Sequence, residues 1–166
     1  MSTVVTVNTY THSVTYVTNK LLLTLKEIIN LSGLSPANLA DQWDVLERGI
    51  KIWLESRHLA KIVLEVFNPK TDKLVGRWDL AIHYGYSGDS SFWVNTEEIR
   101  YHIKKAGLWP SECDYRVVVT TESGRPDVLG WSSTTLRSTD GFIKQSIGTT
   151  IDGSGLNVGT GYWRKV

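Results

Sequence analysis

From about Glu122 onward the chain is rich in glycine, serine and threonine, yet it keeps large apolar side chains throughout. Eight of its fourteen glycines lie between Gly124 and Gly161. Between them stand Val128, Leu129, Trp131, Leu136, Phe142, Ile143, Ile147, Ile151, Leu156, Val158, Tyr162 and Trp163. A disordered tail lacks such residues, because without apolar burial nothing offsets the entropy lost on ordering. Glycine lowers the steric cost of turning, detaching and docking again. The pattern predicts a long structured end that docks on the rest of the chain and covers a partner.

The rest of the composition narrows the functional classes. With 166 residues and 41% hydrophobic content, the chain suits one domain whose core needs neither disulfide nor metal. A net charge of +1 gives no electrostatic case for nucleic acid or for an anionic membrane surface. The apolar runs are too short to span a bilayer. The first ten residues lack the basic start and apolar stretch of a secretory signal, and Cys113 has no internal partner. Both features lead to the expectation of a cytoplasmic protein.

Four dispersed histidines, His12, His58, His83 and His102, have no metal-ligand spacing, so no metal or other cofactor is expected. The stretch Asp152-Gly153-Ser154-Gly155-Leu156-Asn157-Val158-Gly159 lacks both the Gly-Lys-Ser/Thr ending of a phosphate loop and the spaced acids of a calcium loop. It reads as a glycine-rich β turn. No nucleophile is marked by a neighbouring base, so no catalytic residue is assigned.

Hydrophobic spacing gives the order of elements. Val14, Val17, Leu21, Leu25 and Ile28 step by three and four, which predicts a helix capped by Thr11 or Ser13 and stopped at Gly33. Ser35-Pro36 opens a second helix through Leu39, Trp43, Leu46, Ile50 and Trp53. The period then changes to two. Leu59 to Phe67 and Leu74 to Tyr84 flank a turn-rich link, which predicts an antiparallel hairpin. After a loop, Asn95 caps a third helix that ends at Gly107. Its Arg100, Lys104 and Lys105 form either a solvated face or a contact for an acidic partner. Trp93 either staples this helix or anchors a partner. Tyr115 to Thr121 is a strand, and three short strands are expected near Val128–Leu136, Phe142–Ile151 and Leu156–Arg164.

This order of arm, helix, helix, hairpin, helix, strand and structured end is an α+β pattern. It resembles the HORMA fold, and within it the small bacterial HORMA proteins of antiphage cyclic-oligonucleotide (CBASS) signalling. The resemblance covers nearly the whole chain. It implies a single domain of three helices packed on a mainly antiparallel sheet, with a core over about residues 1–122 and a C-terminal safety belt over about residues 123–166.

The resemblance also implies a function. Such a protein is a peptide-binding conformational switch and adaptor without enzymatic activity. It wraps a closure-motif peptide, and in the closed form binds and activates a cGAS/DncV-like nucleotidyltransferase (a CD-NTase) in antiviral defence. An AAA+ ATPase reopens it, and a second HORMA protein is a further partner. Placed on this sequence, the peptide-binding residues would be Ile99, His102, Ile103, Tyr115, Arg116, Val117, Val118, Val119 and Thr120. The belt would dock through Trp131, Phe142, Ile143, Tyr162 and Trp163. The arm offered to the ATPase would be Ser2, Thr3, Val4, Val5 and Thr6. The alternative is a small α+β hydrolase or ligand-binding domain in which the glycine-rich end rims a pocket.

Overall fold

In a computed structural model, which describes residues 2–4 and 8–166, helix α1 (Tyr10–Leu31) lies at the centre of the helical layer. Its stripe Val14, Val17, Leu21, Leu22, Leu25, Ile28 and Ile29 is fully buried. The helix starts one turn earlier than its apolar spacing suggests. Thr9 is the cap: its side chain accepts from the His12 amide, and His12 Nδ1 accepts from the Thr9 amide. The histidine takes the place of the glutamate usual in such a box, so neither Thr11 nor Ser13 is needed as the cap.

The predicted second helix is divided in two, giving four helices among the described residues instead of three. α2 (Ala37–Asp41) ends at Gln42, whose amide is shared between the carbonyls of Asn38 and Leu39, and α3 (Trp43–Glu55) continues from there. Pro36 is the cap of α2 and not its first turn. α4 (Thr96–Ala106) begins as expected, with the Asn95 side chain accepting from the Glu98 amide, and stops at Gly107, where φ is +86°.

The strands are β1 (Leu59–Phe67), β2 (Leu74–Tyr84), β3 (Phe92–Val94), β4 (Asp114–Thr121), β5 (Phe142–Gly153) and β6 (Leu156–Lys165). They form one sheet in the order β3-β5-β6-β2-β1-β4, antiparallel at every pairing. The short β3 lies where the sequence suggested only loop. The helices cover one face, meeting Ile62, Leu64 and Val66 of β1 and Trp78, Leu80 and Ile82 of β2.

The final segment is split in its structure. Its last part, the hairpin β5–β6, docks on β2 through an eight-residue register from Arg77↔Trp163 to Tyr84↔Leu156. Tyr162 is 1% exposed and stacks on Trp78 with ring centroids 4.7 Å apart. Its first part, residues 122–141, contains no strand. The strand expected at Val128–Leu136 does not form. Gly130 (φ +95°) turns the chain there, and the residues that follow are occupied by side-chain contacts in place of a ladder.

Candidate functional site

β4 lies at the edge of the sheet. Its inner neighbour is β1; on its other side no strand is paired among the described residues. A free row of backbone donors and acceptors is a template for a further strand. Here the edge is overhung by the chain's own residues 131–137, which run beside it without a backbone hydrogen bond to it.

Two anchors hold this overhang. The first is Trp131. Its Nε1 donates to the carbonyl of Val45 on α3 (3.0 Å), and its ring meets Trp53 edge-on with centroids 4.9 Å apart. Trp53 in turn donates from Nε1 to the carbonyl of Pro126 (2.7 Å). The second anchor is Arg137. Its amide donates to Oε2 of Glu65 (2.7 Å), and its Nη1 donates to Oε1 (2.8 Å). Nη2 donates to Asp72 in the β1–β2 turn (2.6 Å), and the guanidinium lies 3.6 Å from the centre of the Phe67 ring. Between the anchors, Ser132, Ser133, Thr134 and Thr135 are exposed.

A slot remains between β4 and this span. It comprises adjoining hollows of ≈ 280 Å³, reaching Thr121 and Arg125, and ≈ 420 Å³, reaching Arg116 and Asp41. Val117, Val118, Trp131, Ser132, Ser133 and Thr134 line both. The wall on the helix side is Gln42, Val45 and Leu46, with Trp53 further along. Beyond Gln42 one side is apolar, and the other is small and hydroxyl-bearing. From Arg116 to Thr121 the edge extends roughly 17 Å, room for a strand of about five or six residues.

The family model for bacterial HORMA domain 2 matches residues 1–166. The chain belongs to that family. Solved structures agree on the HORMA fold. A chain of the mitotic checkpoint complex superposes with a TM-score of 0.77 at 10% identity, covering 93% of this chain and 99% of that one. C. elegans HTP-1 bound to the HIM-3 closure motif gives 0.73 at 10% identity, covering 95% and 92%. The CdnC:HORMA-deltaN complex of E. coli MS115-1 gives 0.60 at 11% identity, covering 100% and 94%. No curated protein sequence matches significantly.

Within this HORMA domain the predicted site residues fall into separate groups. Arg116, Val117, Val118 and Val119 line the slot. Tyr115 and Thr120 share the strand, but Tyr115 points its hydroxyl away, donating to the Ser35 carbonyl (2.6 Å). Ile99, His102 and Ile103 are not at this edge. α4 packs on α1 and β5, at the far side of the sheet from β4. His102 is 7% exposed, with Nδ1 3.2 Å from the Tyr162 hydroxyl and Nε2 3.2 Å from Glu98. The apolar face of α4 is thus filled by the hairpin it supports.

The predicted docking residues are distributed in the same way. Trp131 borders the slot, and Phe142 and Ile143 begin β5, where Ile143 is 44% exposed. Tyr162 and Trp163 hold β6 on β2 from opposite faces. Trp163 donates from Nε1 to Oδ2 of Asp79 (3.2 Å). Ser2, Thr3 and Val4 are exposed and without regular structure; Val5 and Thr6 lie outside the described residues. Asn8, next along, is held to the 85–91 loop by Ser90 and by the Tyr86 hydroxyl.

The glycine-rich stretch is the β5–β6 turn. Asp152 Oδ1 accepts from the Gly155 amide (2.8 Å), and a Cβ on Gly155 would lie 2.2 Å from the Gly85 carbonyl oxygen. This turn packs against a neighbouring loop, whereas the part of the glycine-rich end that borders a hollow is residues 130–134. Among the described residues no cluster of three metal-ligating side chains occurs, and no helix is long and apolar enough to cross a membrane.

Sequence reasoning missed the α3 wall and Glu65. A signal for each was present. Glu65 is the lone charge in the apolar run Ile62–Phe67, and Gly49 interrupts the amphipathic helix that Trp131 meets. A charge in such a run is tolerated only with partners.

Proposed function

We propose that this HORMA domain is a cytoplasmic peptide-binding adaptor and conformational switch, with residues 123–166 as its safety belt. An extended peptide adds to the free edge of β4 and is retained by the span between Trp131 and Arg137. The observation that carries this reading is the unpaired β4 edge, overhung by the chain's own span with a slot between them. Main-chain pairing supplies affinity in this mode of recognition, and the walls of the slot select side chains.

The peptide-bound form engages a cGAS/DncV-like nucleotidyltransferase in antiphage signalling, and an AAA+ ATPase reopens it through the N-terminal arm. A second HORMA protein shares the pathway. Family membership supports this, together with the structural likeness to HTP-1, described as bound to a closure motif, and to a CdnC:HORMA-deltaN complex. The chain acts by binding rather than by catalysis.

Panning a displayed peptide library against the full chain tests the core of this reading. An enriched motif should slow amide exchange over residues 116–121 and 131–134. Enrichment without protection at β4 overturns the reading. Co-expression with a nucleotidyltransferase encoded beside the chain tests the partner: complex formation should depend on that peptide.

A further inference from the structure

We propose that Glu65 is the positioning residue that sets how tightly the belt closes over the slot, although it lies on β1 and does not line the slot. The inference rests on the peptide-binding reading. Glu65 is 0% exposed, and its carboxylate is held by three donors: Arg116 Nε (2.6 Å) from β4, and the Arg137 amide and Nη1 (2.7 and 2.8 Å) from the belt. One buried group therefore ties together the strand that offers the edge and the span that covers it.

Arg116 completes the clamp. With Nε on Glu65, it donates from Nη1 to the Thr134 hydroxyl (2.9 Å) and from Nη2 to the Thr135 carbonyl (2.5 Å). These contacts use side chains of the core and both side-chain and backbone atoms of the belt, so they leave the backbone edge of β4 free. A buried carboxylate deprived of its partners is strongly disfavoured, so the contact with Arg137 resists opening.

Geometry gives the consequence. With Arg137 pinned, only six residue steps separate it from the Trp131 anchor, a reach of at most roughly 20 Å. Without that pin, what holds the span is Arg116 on Thr134 and Thr135, itself oriented by Glu65. When that hold also gives way, the next fixed point is Gly141, whose carbonyl accepts from the Val166 amide, and the span then has ten steps and reaches roughly 34 Å. The belt would still enclose the slot but would no longer press on it. Glu65 thus governs how long a captured peptide stays, more than how fast it arrives.

Amide exchange of the full chain without peptide tests the clamp directly, using Glu65→Gln and Arg137→Ala. Arg137 lies in the overhang and outside every helix and strand, so Arg137→Ala remains informative if Glu65→Gln fails to fold. The amide of residue 137, which donates to Glu65, should exchange about tenfold faster in both variants, while the β1–β2 ladder stays protected. With a peptide selected on the wild-type chain, dissociation should accelerate by about tenfold and association by less than about threefold. Unchanged exchange of the residue-137 amide in Arg137→Ala overturns the proposal, as does equal loss of protection across the whole sheet. If no peptide binds the wild-type chain, the peptide reading fails, while the exchange result still decides whether Glu65 holds the span.

Discussion

A Cβ placed on Gly49 would lie 2.3 Å from Nε1 of Trp131, so the indole occupies the space that any other residue on α3 would fill. The absent side chain is what lets the aromatic anchor of the overhang seat against Trp53 and reach the carbonyl of Val45.

Gly49→Ala separates this role from helix propensity. In an exposed helix interior, alanine stabilises by about 1 kcal/mol relative to glycine. Here the indole is rigid and must move, an overpacking cost of about 1–3 kcal/mol. The variant is expected to expose residues 126–133 to protease and to amide exchange while α3 stays protected. In a Trp131→Ala background the same substitution should instead stabilise, since the obstruction is gone. Denaturation midpoints of the four proteins in this cycle provide the check.

The buried hydroxyl pair Thr150 and Thr160 ties β5 to β6, with 2.8 Å between their Oγ1 atoms. Thr150→Val keeps the shape but leaves the Thr160 hydroxyl without its partner, at a cost of about 1–3 kcal/mol. Replacing both by valine should recover most of that loss, since no polar group is then stranded. Thermal unfolding of the single and double variants measures the difference. A double variant as unstable as the sum of the singles would argue that packing dominates at this position.

Much of this structure was legible in the chain. The period of three and four from Val14 to Ile28, the alternation through Trp78, Leu80 and Ile82, and the Asn95 cap each encode a local element, and each formed. What was hidden depends on contacts distant in sequence. Whether Val128–Leu136 becomes a strand is decided by Trp131 reaching Gly49 and Arg137 reaching Glu65, 82 and 72 positions away. Nothing in the local spacing around Trp131 or Arg137 reports that. The same limit placed Ile99, His102 and Ile103 at the wrong edge: their common face was correct, but which sheet edge it meets is a property of topology. The free edge at Tyr115–Thr121 was recognisable because the family pattern carries topology that periodicity lacks.

Asp79 is expected to hold the β5–β6 hairpin on β2. It lies on the face of β2 opposite the helices, yet its side chain is 2% exposed. Arg77 donates to it from Nε (2.7 Å) and Nη2 (3.2 Å), and Trp163 of β6 donates from Nε1 (3.2 Å). Lys61 and Lys144 approach within 3.7 and 3.6 Å from β1 and β5, respectively. Asp79→Ala leaves Arg77 buried without its counter-charge, which should cost about 3–5 kcal/mol in urea unfolding. Asp79→Asn keeps a carbonyl acceptor for Arg77 or for Trp163 but removes the charge, so a smaller loss is expected. Because β6 is joined to this group through Trp163 and β5 through Lys144, amide exchange should rise first in β5 and β6 and only later in β1. Simultaneous loss across all strands would show that Asp79 stabilises the sheet as a whole and does not specifically fasten the hairpin.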